Sequence, residues 1–155
     1  MKKIILSLII VFILLGVGYQ FYASKINKPK KEFYKPLSPK DLNPKSFIEL
    51  FKKEYNKDSK MNSVTLMGDF PENWVKPNDI EYLISIMKSK EKCCGYMNTY
   101  SSFISSENGE VGGFAVIFLN SYISKTKINM GLNCNPKTDE ESVTKIESWY
   151  RNTKN

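Results

Sequence analysis

The chain has 155 residues, a formal net charge of +7 and no histidine. Without His, the Ser-His-Asp triad, the Cys-His nucleophile pair and His-ligated metal sites each lack a member. Much of the positive excess sits in one N-terminal stretch, the rest is interspersed with Asp and Glu, and no basic stripe carries interleaved aromatics, so nucleic acid is not an expected partner.

Met1-Lys2-Lys3 is followed by an apolar run from Ile4 to Tyr19, with no charge until Lys25. A basic start running into such a stretch predicts an export or membrane-insertion signal. Residues 4–23 supply the roughly 20 positions a spanning helix needs, so 1–23 is expected to be a signal anchor. The alternative is a cleaved signal peptide with Ile4 to Leu15 as its apolar core and Gly16-Val17-Gly18 before the cut. Lys2 and Lys3 form the usual basic head of an export signal and direct the C-terminal part outside the cytoplasm. Lys25, Lys28, Lys30, Lys31 and Lys35 on the far side weigh the other way. The expected location is membrane-anchored with an extracytoplasmic domain, or secreted if the signal is cut.

Residues 24–45 carry Pro29, Pro36, Pro39 and Pro44 among lysines and read as a solvated tether. Residues 46–155 are enough for one small domain with a single modest core. Asn43-Pro44 is a helix start, and Phe47, Leu50, Phe51 and Tyr55 recur at helical spacing. Met61 to Met67 fits either two helical turns or a small strand. After a turn-rich connector from Gly68 to Val75, Asn78 or Asp79 caps a helix in which Ile80, Leu83, Ile84 and Met87 share a face. Residues 111–125 are a fork: Asn108-Gly109 is a hairpin signal, but about fifteen unbroken residues favour helix over strand. Thr138-x-x-Glu141 reads as a capping box for a last helix with Val143, Ile146, Trp149 and Tyr150 as its buried stripe. The expected fold is mostly α, four to five short helices behind the anchor, with α+β and a hairpin around Asn108-Gly109 as the alternative.

Three cysteines are present. Outside the cytoplasm two are expected to pair, and since adjacent cysteines bridge only with strain, Cys134 should join Cys93 or Cys94. Such a bridge closes a loop of about 40 residues, worth on the order of 3–4 kcal/mol. Cys-Cys plus one distant Cys matches no zinc spacing.

The pieces Trp74-Val75-x-x-x-Asp79-Ile80-x-Tyr82-Leu83-Ile84, Val111-Gly112-Gly113-x-Ala115 and Ile146-Glu147-x-Trp149 are similar to small, uncharacterised bacterial envelope proteins over about residues 70–149. The resemblance implies a predominantly helical fold with cysteines at the positions of Cys94 and Cys134, hence a Cys94–Cys134 bridge with Cys93 as the other choice. It carries no activity and no functional residues.

Ser85-Ile86-Met87-Lys88 spells the S-x-x-K of penicillin-binding enzymes, with Ser106-Glu107-Asn108 and Lys125-Thr126-Lys127 as partial companions. Ser85 falls on the face opposite the apolar stripe and the third motif lacks its Gly, so chance explains the match better. The neighbouring carboxylates at Asp69/Glu72, Asp79/Glu81 and Asp139–Glu141 suit caps and solvated faces rather than a catalytic cleft. Aromatics make up 13% of the chain, and Phe70, Trp74, Tyr96, Tyr100 and Phe103 fall in loop regions, which makes them the candidate binding surface. No catalytic residue, cofactor or metal is expected. The chain is expected to be a non-enzymatic binding module at the bacterial envelope, held by residues 4–23 and meeting a protein partner, in one version an immunity-type protein masking a toxin. The alternatives are a hydrolase of envelope polymers, which would gather Ser85 and Lys88 in a cleft, and a structural subunit of an envelope complex.

Overall fold

The computed structural model describes residues 36–57, 61–103 and 106–154. The anticipated anchor and most of the tether lie outside them, and among the described residues no helix is long and apolar enough to cross a membrane. The elements are α1 (Pro44–Glu54), β1 (Ser63–Leu66), α2 (Ile80–Ile86), β2 (Lys92–Cys93), β3 (Gly95–Asn98), β4 (Gly109–Glu110), α3 (Val111–Ser124), β5 (Asn133–Cys134) and α4 (Glu140–Lys154), with single 3-10 turns at Pro39–Asp41 and Pro77–Asp79. The fold is therefore α+β, and the mostly helical expectation is corrected. β1 and β3 run parallel, β5 adds antiparallel to β3, and β2 pairs antiparallel with β4. The hairpin at Asn108-Gly109 is absent too: Gly109 pairs with Cys93, and the chain turns directly into α3.

Local chemistry accounts for the helix starts. Asn43 accepts the Ser46 N–H at 2.9 Å and Pro44 occupies the first helical position, where a missing N–H is costless. At α4 the cap is Asp139 rather than Thr138. The Asp139 carboxylate accepts the Ser142 N–H at 2.8 Å, while the Thr138 hydroxyl donates to the Ser89 carbonyl. The segment around α2 is shorter than its periodicity suggests. Asp79 closes a 3-10 turn by accepting the Lys76 N–H at 2.8 Å, and only Ile80–Ile86 is α-helical.

The core is aromatic. Phe47 stacks on Phe51 at 3.9 Å between centroids and meets Phe114, Phe118, Phe70 and Trp74 at 5.2–6.0 Å, mostly edge to face, the geometry the ring quadrupole favours. The Trp74 indole N–H reaches the carbonyls of Pro39 and Leu42, each at 2.9 Å. Ser38, Pro39 and Pro44 are buried, and the compact unit begins at Pro36.

α3 is buried on nearly every side, including Val111, Gly112, Gly113, Phe114, Ala115, Val116, Phe118 and Leu119. Its first N–H groups point at neighbouring backbone: Val111 N–H donates to Glu91 O and Gly112 N–H to Ser89 O, both at 2.9 Å. A Cβ on Gly112 would lie 2.6 Å from the carbonyl oxygens of Met87 and Ser89, and one on Gly113 would lie 2.7 Å from the Pro136 backbone. Helix propensity alone favours Ala over Gly by up to about 1 kcal/mol. Overpacking against rigid backbone costs about 1–3 kcal/mol and wins. Gly112→Ala and Gly113→Ala are each expected to lower the urea midpoint with little change in slope; an unchanged or raised midpoint would contradict this packing.

Candidate functional site

The structure divides the five aromatics of the sequence-derived surface. Phe70, Trp74 and Tyr96 are core residues, 3%, 7% and 3% exposed, whereas Tyr100 and Phe103 are 85% and 66% exposed. The reason is topological. Tyr96 lies on the inner face of β3, where Phe70 packs on it at 6.2 Å, and burial holds its phenol pKa above the usual value. Tyr100 and Phe103 follow the end of the strand.

Two surfaces stand out. The first is the end of the three-stranded sheet. Leu66 pairs with Asn98 in register, and the Asn98 N–H donates to Leu132 O at 2.8 Å, so β1 and β3 finish where β5 begins. Beside that line lie Met67, whose N–H donates to Leu37 O at 2.9 Å, and Tyr100, two residues past β3. Phe103 is brought in by Asn133, whose side-chain amide donates to the Phe103 carbonyl at 2.9 Å; the Ser101 hydroxyl bonds both Phe103 O and Asn133 Oδ1. Leu37, Met67, Tyr100, Phe103 and Leu132 are the exposed large apolar side chains of the described residues, and all five sit at this end. A shallow depression of about 470 Å³ next to them is lined by Phe70, Tyr96, Asn98, Met130 and Leu132, with the Asp69–Lys127 ion pair (2.9 Å) on its rim.

The second surface is an open groove of about 470 Å³ between the 73–77 connector and the C-terminal end of α3, with Trp74, Lys76, Tyr122, Lys125 and Trp149 among its walls. It shares Pro77, Tyr122 and Trp149 with a neighbouring depression of about 280 Å³. Trp149 meets Tyr122 edge to face at 6.1 Å. Asn73 and Lys125 both hold left-handed backbone, φ 50° and 54°, a conformation uncommon for residues other than Gly. At Lys125 it caps α3, with its N–H shared between Ser121 O and Tyr122 O. Composition flagged Trp74 but not this groove. Tyr122 and Trp149 sit on different helices, and only the α3–α4 packing brings them together.

The penicillin-binding-like motif does not assemble. Ser85 is exposed and donates to its own helix at Tyr82 O, 2.6 Å away, while Lys88 holds Glu147 at 2.5 Å. Lys88 lines a depression with Lys90, Thr138, Val143 and Glu147, and Ser85 is not part of it. Among the described residues no group of acids and cysteines is placed to hold a metal ion.

The three cysteines are free thiols. Cys134 faces Tyr96 in the β3–β5 register, two residues along from Cys94. Cys94 lies before β3 begins and is not in register with Cys134. Cys93 pairs instead with Gly109 in the other sheet. Burial pushes the Cys93 thiol up to about 12 and the Cys94 thiol up to about 11, and raises that of half-buried Cys134. Thiolate is the reactive form, so the order of reactivity follows exposure. A brief alkylation of the native chain near pH 8 is expected to label Cys134 first, with Cys93 and Cys94 labelled only in denaturant; early labelling of Cys93, or two thiols protected even in denaturant without reductant, would contradict it.

Comparison with protein-family models, with curated proteins and with solved structures gives no match to this chain.

Proposed function

We propose that this chain is a membrane-tethered binding module of the bacterial envelope, held by residues 4–23, whose Tyr122–Trp149 groove receives an acidic segment of a protein partner. The observation that carries this reading is the groove itself. It presents Trp and Tyr, the residue types that anchor protein interfaces, in a concavity between the 73–77 connector and the end of α3, with Trp149 of α4 on its wall. Lys76 and Lys125 are the charged side chains on its wall. The carbonyls at the end of α3 that would repel an acid are engaged by the N–H groups of Lys125 and Thr126, which blunts the negative end of the helix dipole. The apolar run before the lysine-rich tether supports the membrane location. An immunity-type role, masking a toxin at the membrane, is the version that fits a small module with a single partner groove.

The test is a photo-crosslinking amino acid placed at Thr126, on the lip of the groove, in the full chain expressed in bacterial cells. One discrete protein adduct is expected. Trp149→Ala is expected to weaken capture more than tenfold, the loss of about 2 kcal/mol that marks an interface anchor, and Lys125→Glu is expected to weaken it without unfolding the domain. Adducts that are diffuse, or unaffected by either substitution, would contradict the assignment.

A further inference from the structure

We infer that the apolar end of the three-stranded sheet, formed by Leu37, Met67, Tyr100, Phe103 and Leu132, docks on the lipid surface to which the chain is tethered. The inference rests on the membrane tether proposed above and adds to it a second, reversible contact.

Three observations carry it. Exposed apolar groups that gather at one place rather than scatter mark an interaction surface, and here every exposed large apolar side chain of the described residues lies at the same sheet end. The two most exposed are Tyr100 and Phe103, and amphipathic or bulky aromatic rings suit the boundary between headgroups and acyl chains. The chain also enters the domain at this end: the compact unit begins at Pro36, and Leu37 is the first member of the patch.

Reach decides the occupant. Residues 24–35 separate the apolar run from the domain, and twelve residues span at most about 40 Å even when fully extended. The point of entry, and the patch beside it, can never be far from the bilayer. Tethering at that range makes a weak contact intramolecular, with an effective concentration far above that of a free partner. Lys25, Lys28, Lys30, Lys31 and Lys35 lie in the same stretch and would be drawn to anionic headgroups. The five patch side chains are uncharged, and Lys127 at the rim is matched by Asp69 at 2.9 Å. The 99–103 loop is held in shape by Ser101, Asn98 and Asn133, so its rings are presented without ordering a free loop on contact.

The test uses the full chain reconstituted into vesicles of phosphatidylglycerol mixed with phosphatidylcholine brominated in its acyl chains. Tryptophan is introduced by Tyr100→Trp or Phe103→Trp, and by Lys53→Trp on the exposed side of α1 as a reference. The emission added at 100 or 103 is expected to shift to the blue and to be quenched about twofold or more by the brominated lipid, with position 53 unaffected, as for rings buried at the headgroup–acyl boundary. A chain that floats with the vesicles while positions 100, 103 and 53 are quenched alike would overturn the docking and leave the tether standing. A blue shift without bromine quenching would also overturn it, in favour of a protein or a second copy of the chain on this face. A chain that does not float would overturn the tether itself.

Discussion

A helix that is apolar on nearly every side can exist in water only if something covers all of it, and α3 sets that demand for this domain. With Phe114, Ala115, Val116, Phe118 and Leu119 in consecutive or near-consecutive positions, no face is left to solvate until the last two turns. α1 covers it through Phe47 and Phe51, α2 through Leu83, the sheet through Tyr96 by way of Phe70, and α4 through Val143 and Ile146. Gly112 and Gly113 make the arrangement possible at its start, where backbone from two other segments, Met87–Ser89 and Pro136–Lys137, comes closer than a Cβ would allow. The remaining elements can be as short as they are because each only caps part of a helix that is already a core.

The same constraint decides where function can sit. The first two turns of α3 are sealed by the 87–91 and 136–138 segments, so no chemistry is exposed there. Its last turns emerge, and there Tyr122, Ser121 and Lys125 form one wall of the groove opposite the 73–77 connector, with Trp149 from α4 closing the side. The sheet is covered by the core on its inner face, and its far end, where β1, β3 and the start of β5 meet, is left with the apolar side chains that the core does not use. Surface ion pairs such as Lys88–Glu147 and Lys145–Glu141 are worth about 0–1 kcal/mol each and decorate this arrangement rather than determine it.

The helices were legible in the sequence because each announces itself locally. Asn43-Pro44 and the acidic start of the last helix are capping signals, and the 47–51 and 143–146 spacings are helical. The strands were not, for physical reasons. β2, β4 and β5 are two residues each, too short to show alternation, and Cys93, Cys94, Gly95, Tyr96 and Met97 are all buried, so no polar partner marks the outward positions. β1 was one of two readings of Met61 to Met67, and nothing within that segment could choose, because the choice is made by pairing with β3. Of the candidate surface, Tyr100 and Phe103 lie in a polar loop and are exposed. Phe70, Trp74 and Tyr96 have similar sequence surroundings but face inward, a difference that only the register of β3 and the packing on Phe47 and Phe118 decides. Trp149, at helical spacing with Val143 and Ile146, is only partly buried: it packs against the core and meets Tyr122 edge to face, while part of its ring lines the groove.

Hydrogen exchange resolved by residue measures the dependence on α3 directly. If the domain is built around this helix, the amides of Ala115 to Leu119 exchange only through global unfolding, with the free energy that denaturant melting gives, and those of α4 open first. If the 115–119 amides exchange as fast as those of α4, by an opening well short of global unfolding, α3 is not the element on which the others rest.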